Sequence, residues 1–281
     1  MKKVQIYGEV LDRGPGKVLK NLILGLEELK IEYSFNEEPI KDSYKISLTP
    51  TPIMDSNYIN EILIGPNVCV LPFENQKSME QKYKKMVVPS YWVRDLYNKW
   101  IDNDKLVVWP VGVDTTLFSD KSQENKTIDC LIYVKRRSPI QVEQIQNFLT
   151  SKIQSFRVIE YGFYTEEEFI DILSKSKYCV VIDSTESQGI AIQEIMSCNL
   201  PILVWDVTEW VDYGDQFRVP ATSVPYWDNT CGEKFYNISE INETFTKFKE
   251  NLHLYQPRKF VTDNLSLSKQ VMELIKIFKE K

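Results

Sequence analysis

The chain has 281 residues, 43% hydrophobic and 12% aromatic, with a net charge of −6. That length and composition allow two domains of ordinary size with real cores and exclude a disordered protein. The first 110 residues carry 15 Lys/Arg and 15 Asp/Glu, the remainder 19 and 25. No global positive field therefore recruits nucleic acid, and an anion site here has to be positive locally.

Val4 to Tyr7 reads as a first buried strand, followed by a loop containing Gly14, Pro15 and Gly16. A helix follows, with Val18, Leu19, Leu22, Ile23, Leu26 and Leu29 on one 3.6-residue stripe. Further strands are predicted at Ile31–Phe35, Tyr44–Leu48, Val68–Leu71, Met86–Val88 and Lys105–Trp109, with a helix capped by Ser90 running to Trp100. The pattern then restarts. Strands are predicted at Ile128–Val134, Phe156–Tyr161, Cys179–Ile182 and Pro201–Trp205, with helices at Ile140–Leu149, Thr165–Lys175 and Ile190–Cys198 between them. A last helix, about Ser266 to Phe278, carries Leu267, Val271, Leu274, Ile275 and Phe278 on one side. Strands alternating with helices predict parallel sheets with right-handed crossovers.

Five cysteines, Cys69, Cys130, Cys179, Cys198 and Cys231, have no CxxC spacing, and the one histidine, His253, lies in a polar stretch. No metal site is expected, and the thiols fit a reducing compartment. The chain starts directly in a strand pattern without an apolar signal region. No stretch approaches the roughly 20 apolar residues of a membrane span. The expectation is a cytoplasmic protein, with at most weak peripheral membrane contact through the basic cluster Lys82–Lys85.

The most informative stretch is Glu186 to Glu194. It follows a buried strand and opens a helix, so two carboxylates bracket Gly189 at a strand-to-helix turn. The N–H groups of a helix start have no partner within the helix and favour anions. Carboxylates accept from sugar and ribose hydroxyls, and N–H groups donate to phosphate oxygens. By itself this spacing also fits two solvated carboxylates, and Lys135, Arg136 and Arg137 by themselves fit a solvated strand end.

In order along the chain, these segments resemble the retaining GT-B glycosyltransferases, specifically the large nucleotide-sugar-dependent group 1 family. Tyr161 to Phe163 and Cys179 to Leu203 are similar to that family's donor-site core. Pro89–Asp95 and Val108–Phe118 look like its interdomain region, and Arg258 to Phe278 like its terminal helix. The resemblance implies an α/β architecture of two Rossmann-like domains facing across a cleft. Residues 1–112, joined by about 263–281, would form the acceptor-side domain, and 113–262 the donor-binding domain. It implies that Glu186 binds hydroxyls of the transferred sugar and Glu194 those of the ribose. Gly189, Ile190 and Ala191 would bind the diphosphate through backbone N–H groups, with Arg136 as the phosphate arginine. Tyr161 and Gly162 would face the base, and Gly14 and Gly16 would form the N-terminal glycine turn.

Two departures stand out. Lys135 occupies the family's usual glycine position and no lysine follows Arg136 at the family spacing, so one phosphate cation is missing or is supplied by Lys135 or Arg137. The region Leu48–Ile53 also lacks the histidine that family members often carry there. The implied activity is retaining, metal-independent sugar transfer from a nucleotide diphosphate sugar to a glycan, lipid-linked or protein-linked acceptor, with no cofactor and no nucleic-acid partner. The alternative is a catalytically decayed relative that binds nucleotide or glycan. A nicotinamide dehydrogenase is disfavoured, because no GxGxxG follows the first strand.

Overall fold

Two separate all-parallel sheets organise the chain, each in its own unit: Met1–Asp114 with Leu265–Lys281, and Thr115–Asn264. The computed structural model describes residues 2–49, 58–68, 71–72, 82–212 and 217–280. Within these, no helix is long and apolar enough to cross a membrane.

In the first unit, strands β1 (Val4–Tyr7), β2 (Tyr33–Phe35), β3 (Tyr44–Ser47), β4 (Ile62–Ile64), β5 (Lys85–Val88) and β6 (Leu106–Val108) lie in the order β2-β1-β3-β4-β5-β6. Ile62–Ile64 and Met86–Val88 are buried apolar runs, the continuous apolar character expected of strands covered on both faces. At Val68 and Leu71, the described residues of the strand predicted at Val68–Leu71, no strand is formed. Strand β4 uses the preceding run Ile62–Ile64, Val68 lies in a bend, and residues 69 and 70 fall outside the described residues. Residues 50–53 of the predicted acceptor-side segment also fall outside them.

Helix α1 (Arg13–Glu28) corrects a second expectation: Gly14, Pro15 and Gly16 form its first turn and not a loop before it. Proline is tolerated in a first turn, where its missing N–H has no helical acceptor to lose. Gly16 is demanded by contact, since a Cβ there would lie 1.9 Å from the Leu11 carbonyl oxygen. Helix α2 (Tyr91–Tyr97) is shorter than predicted, and Ser90 stands at its N-cap by backbone geometry without a side-chain capping bond.

The second unit contains β7 (Ile128–Lys135), α3 (Pro139–Thr150), β8 (Phe156–Glu160), α4 (Glu166–Lys175), β9 (Ser176–Asp183), α5 (Ile190–Ser197) and β10 (Ile202–Trp205). An antiparallel hairpin, β11 (Glu209–Asp212) with β12 (Phe217–Pro220), follows, then β13 (Gly232–Phe235), α6 (Ile241–Glu250) and α7 (Pro257–Leu265). Its sheet order is β13-β10-β9-β7-β8. Read from the other edge, the first five strands of both sheets follow one winding, with the chain reversing direction after its second strand. Thr165 starts α4 with a capping box, accepting from the Glu168 N–H while Glu168 accepts from the Thr165 N–H. Sheet side chains alternate as strand geometry requires. Cys130, Ile132 and Val134 join a core with Ile145 of α3 and Phe248 of α6, whereas Tyr133 meets Phe169 of α4.

The C-terminal region predicted to resemble one terminal helix is two, broken at Ser266: α7, then α8 (Leu267–Lys279). Helix α8 packs on α1, with Gly25 against Val271, and accepts the Trp109 indole N–H at the Gln270 carbonyl, 2.8 Å. The Val113 N–H donates to the Leu265 carbonyl at 2.8 Å, and Asn21 donates to the Gly112 carbonyl at 2.8 Å. This close approach needs glycine at 112, where a Cβ would sit 2.6 Å from Leu267 Cα and 2.7 Å from the Ser266 oxygen. Both obstacles are backbone and cannot rotate away. Gly112→Ala is therefore expected to cost about 1–3 kcal/mol as an overpacking change. Thermal unfolding should show the midpoint falling by several degrees; an unchanged midpoint would contradict this account of the junction.

Candidate functional site

In the second unit the chain runs from β7 outward to β8, then crosses back to place β9 on the other side of β7. Connections from the carboxyl ends of β7 and β9 therefore diverge, and in open α/β sheets ligands bind in the crevice this leaves. Lys135 ends β7 opposite Asp183, which ends β9, and the Ser184 N–H donates to the Lys135 carbonyl at 3.2 Å. By the same alternation that directs Tyr133 toward α4, Lys135 lies on the face that carries α4. Arg136 adopts a left-handed backbone, φ 52°, so the three consecutive cations diverge.

Glu186 is the centre of the site and is only 6% exposed. Its backbone N–H donates to the Thr222 carbonyl at 3.0 Å. Its Oε2 accepts from the Gly189 N–H at 3.1 Å, its Oε1 accepts from Lys135 Nζ, and a guanidinium nitrogen of Arg136 lies 3.6 Å from Oε1. Gly189 is the N-cap of α5 with φ 77° and ψ 43°, a left-handed conformation that glycine adopts without strain. Ile190 and Ala191 form the first turn of α5, where N–H groups lack helical acceptors.

The three cations have different roles. Lys135 Nζ sits 4.2 Å above the centre of the Tyr161 ring, and burial pulls its ammonium down to about 8, with Arg136 acting in the same direction and Asp183 against it. The Arg136 side chain is 57% exposed and donates to the Thr185 carbonyl. Arg137 turns back onto the sheet, donating from Nε to the Asp183 carbonyl at 2.6 Å and from a terminal nitrogen to the Trp205 carbonyl at 2.7 Å. It also stacks over the Trp205 ring at 5.1 Å. Arg137, one of the two candidates for the second phosphate cation, is thus a brace across the ends of β7, β9 and β10.

Glu194 lies deeper than the rim, 1% exposed in α5. Burial raises the Tyr164 hydroxyl, a bond with Tyr133 opposes this, and Glu194 and Tyr161 add to the rise. Tyr161 and Gly162 follow β8, the Tyr161 N–H donates to the Val134 carbonyl at 2.9 Å, and Gly162 is exposed with φ 88°. The structure therefore brings Lys135, Arg136, Tyr161, Glu186 and Gly189 together at the carboxyl ends of β7 and β9, with Ile190 and Ala191 next along α5. Gly14 and Gly16 belong to the first unit.

Two carboxylates here escape a sequence reading. Asp183 is fully buried, with Oδ1 accepting from the Ser184 N–H at 2.7 Å and no hydrogen-bond partner for Oδ2 among the described residues. Burial raises its carboxyl to about 6 against the pull of Lys135, Arg136 and Arg137. Asp206, at the end of β10, accepts from Lys234 Nζ, the Thr222 hydroxyl, the Ser223 hydroxyl and the Ser223 N–H, all at 2.8 Å. It thereby holds the loop whose Thr222 carbonyl fixes Glu186. The only local signal for either residue is an acidic side chain just at or past the end of a buried strand. Among the described residues no three His, Cys, Asp or Glu side chains converge as a metal-ligand set.

Burial alone would raise the Asp206 carboxyl, but Lys234 and the Ser223 donors outweigh it and hold it below the ordinary value. Its contribution to stability is therefore complete above the unfolded value of about 3.9 and is lost as pH falls through the lower folded value. Asp206→Ala leaves the partly buried Lys234 without its partner and the buried Ser223 donors unsatisfied, and is expected to cost about 1–3 kcal/mol at neutral pH. Urea unfolding of both proteins should show this gap, narrowing only below about pH 4. A gap under about 1 kcal/mol, or one that persists undiminished at low pH, would remove Asp206 as the anchor.

No protein-family model matches the sequence, and a search of curated proteins finds no match. Among solved structures the chain is similar to the lipopolysaccharide outer core galactosyltransferase WaaB in its apo form, at 12% identity over 99% of both chains, with a TM-score of 0.60. It is also similar to sucrose-phosphate synthase from Thermosynechococcus elongatus, at 10% identity over 99% of this chain and 98% of that one, with a TM-score of 0.55. A third similar structure is an α-glucosyltransferase in complex with UDP and a 13-mer DNA containing a HMU base, at 12% identity over 99% of both chains, TM-score 0.52. Identities this low establish architecture, and with two parallel sheets wound alike they show that the chain has the GT-B fold.

Proposed function

We propose that this protein is a glycosyltransferase that moves a sugar from a nucleotide diphosphate sugar to an acceptor hydroxyl, with retention of anomeric configuration and without a metal ion. The observation that carries this reading is the convergence of Lys135, Arg136 and the first turn of α5 on buried Glu186, at the switch point of the second sheet. The GT-B fold supports it, because the similar structures include a galactosyltransferase and an α-glucosyltransferase holding UDP.

In this reading the nucleotide diphosphate departs as the acceptor hydroxyl attacks the same face of the sugar, and the leaving phosphate takes the hydroxyl proton. The transition state is oxocarbenium-like, and negative charge grows on the departing phosphate. Cations and helix-start N–H groups placed where that charge develops lower the barrier. Arg136 and the Ile190 and Ala191 N–H groups take that role, which a divalent ion fills in other transferases. Glu186 orients the sugar through its hydroxyls, and Glu194 serves the ribose. A second reading, a decayed relative that binds nucleotide without turnover, is favoured by the absence of a histidine in Leu48–Ile53.

A thermal-shift panel of nucleoside diphosphates in the presence of chelator tests the site. A ligand at about 100 times its dissociation constant adds about 2.7 kcal/mol, which moves the midpoint by several degrees at this size. The expected result is a chelator-insensitive shift with one base, lost in Arg136→Ala. In Glu186→Gln the diphosphate shift should persist, while the added effect of the sugar disappears. No shift with any nucleotide would overturn the proposal.

A further inference from the structure

The cation that helps Arg136 hold a diphosphate can be identified from the chain's own contacts. Arg137 is committed to the Asp183 and Trp205 carbonyls and stacked on Trp205, so recruiting it would unpin three strand ends. Lys135 has no such duty. Its ammonium is anchored only at one end of a flexible four-carbon stem, between the Glu186 carboxylate and the face of Tyr161. Glu186 holds a second donor in the Gly189 N–H and a guanidinium nearby, so it does not depend on Lys135 alone.

We propose that Lys135 is the second diphosphate cation and that its ion pair with Glu186 is the resting state of an exchange: the arriving diphosphate draws Lys135 away, and Glu186 is thereby released to accept from sugar hydroxyls. This rests on the reading of the crevice as a nucleotide diphosphate sugar site. Physically, the exchange replaces a singly charged carboxylate by a diphosphate of higher charge in a poorly hydrated place, where the attraction between unlike charges is strong. It also explains how a residue can stand where the resembling family has glycine without blocking the site: Lys135 is displaced into a contact with the ligand. A consequence is order. Glu186 becomes available for the sugar only once the diphosphate is seated, which disfavours unproductive capture of bare sugars.

The groups facing Lys135 are Glu186 from the loop before α5, Asp183 from β9, Arg136 beside it on the chain and Tyr161 after β8. Asp183, raised to about 6, is ionised throughout the range above pH 7, and a guanidinium keeps its charge there. Lys135, brought down to about 8 by burial, is the group whose charge changes above that pH. If the bound diphosphate pairs with Lys135, the complex holds a proton that the empty protein loses, and affinity falls as pH rises. If Lys135 stays on Glu186, its proton is indifferent to the ligand.

The test is calorimetric titration of the full chain, in chelator, with the nucleoside diphosphate that it binds and with the corresponding nucleoside. Lys135→Met is expected to weaken the diphosphate by at least about tenfold, the scale of a lost charge pair, and to leave the nucleoside within about twofold. Lys135→Arg should retain diphosphate affinity within about threefold. Between about pH 7 and about pH 9.5 wild-type affinity for the diphosphate should fall by roughly tenfold more than that of Lys135→Arg. Should Lys135→Met not fold, Lys135→Gln is titrated in its place with the same expectation. Diphosphate affinity unchanged in the neutral variant would overturn the assignment to Lys135 and leave the enzyme reading standing. Failure of the wild type to bind any nucleoside diphosphate would instead remove the enzyme reading, and the exchange with it.

Discussion

Strand β7 pairs in parallel with both β8 and β9, and this one constraint fixes where the chemistry of the second unit sits. Right-handed crossovers to opposite sides put the following helices on opposite faces, so the carboxyl ends of β7 and β9 are left with connections that diverge. Into that gap the sheet delivers, by strict alternation, a lysine from β7 and an aspartate from β9. The next turn delivers a glutamate and a helix start. Charges of both signs are crowded where water is scarce, and the arrangement persists because each is partly compensated by another.

That compensation is incomplete, and the incompleteness is informative. Asp183 keeps an oxygen without a partner among the described residues and a raised carboxyl. Lys135 is held in a burial that lowers its ammonium. Groups perturbed in this way cluster at functional sites, which is the physical ground for placing the candidate site here. Rigidity comes from the surroundings. Arg137 ties three strand ends, Asp206 fixes the loop behind Glu186, and Arg258 joins the Ser197, Phe118 and Thr115 carbonyls at the far end of α5. These braces hold the strand ends and the loop around Glu186.

Much of this architecture is readable in the chain. Buried parallel strands appear as unbroken apolar runs, so β7, β9 and β10 are visible, and Gly189 after such a run announces the turn into α5. The start of α1 is not, because Gly14, Pro15 and Gly16 read as breakers although a proline in a first turn forfeits no bond. Strand β4 is expected at Val68–Leu71, whereas the strand described is the preceding apolar run Ile62–Ile64, on the other side of Gly65 and Pro66. At the site, Lys135, Arg136 and Glu186 are legible from their places at strand and helix ends. Arg137 is not separable from its neighbours in sequence; the left-handed turn at Arg136 sends it back to the sheet. Asp206 is invisible locally, since its partners lie at 222, 223 and 234. Long-range polar anchors leave no periodicity for a reader to find.

The central claim is that a buried glutamate at a switch point orients a sugar for transfer from a nucleotide diphosphate. The most direct measurement is release of nucleoside diphosphate from a panel of nucleotide sugars, in chelator, by the wild type and by Glu186→Gln. The account predicts slow, chelator-insensitive release from one donor even without acceptor, and a rate lower by about 100-fold in the variant, as expected when a reacting group loses its orientation. Release from no donor at all, or release at the same rate in Glu186→Gln, would contradict it.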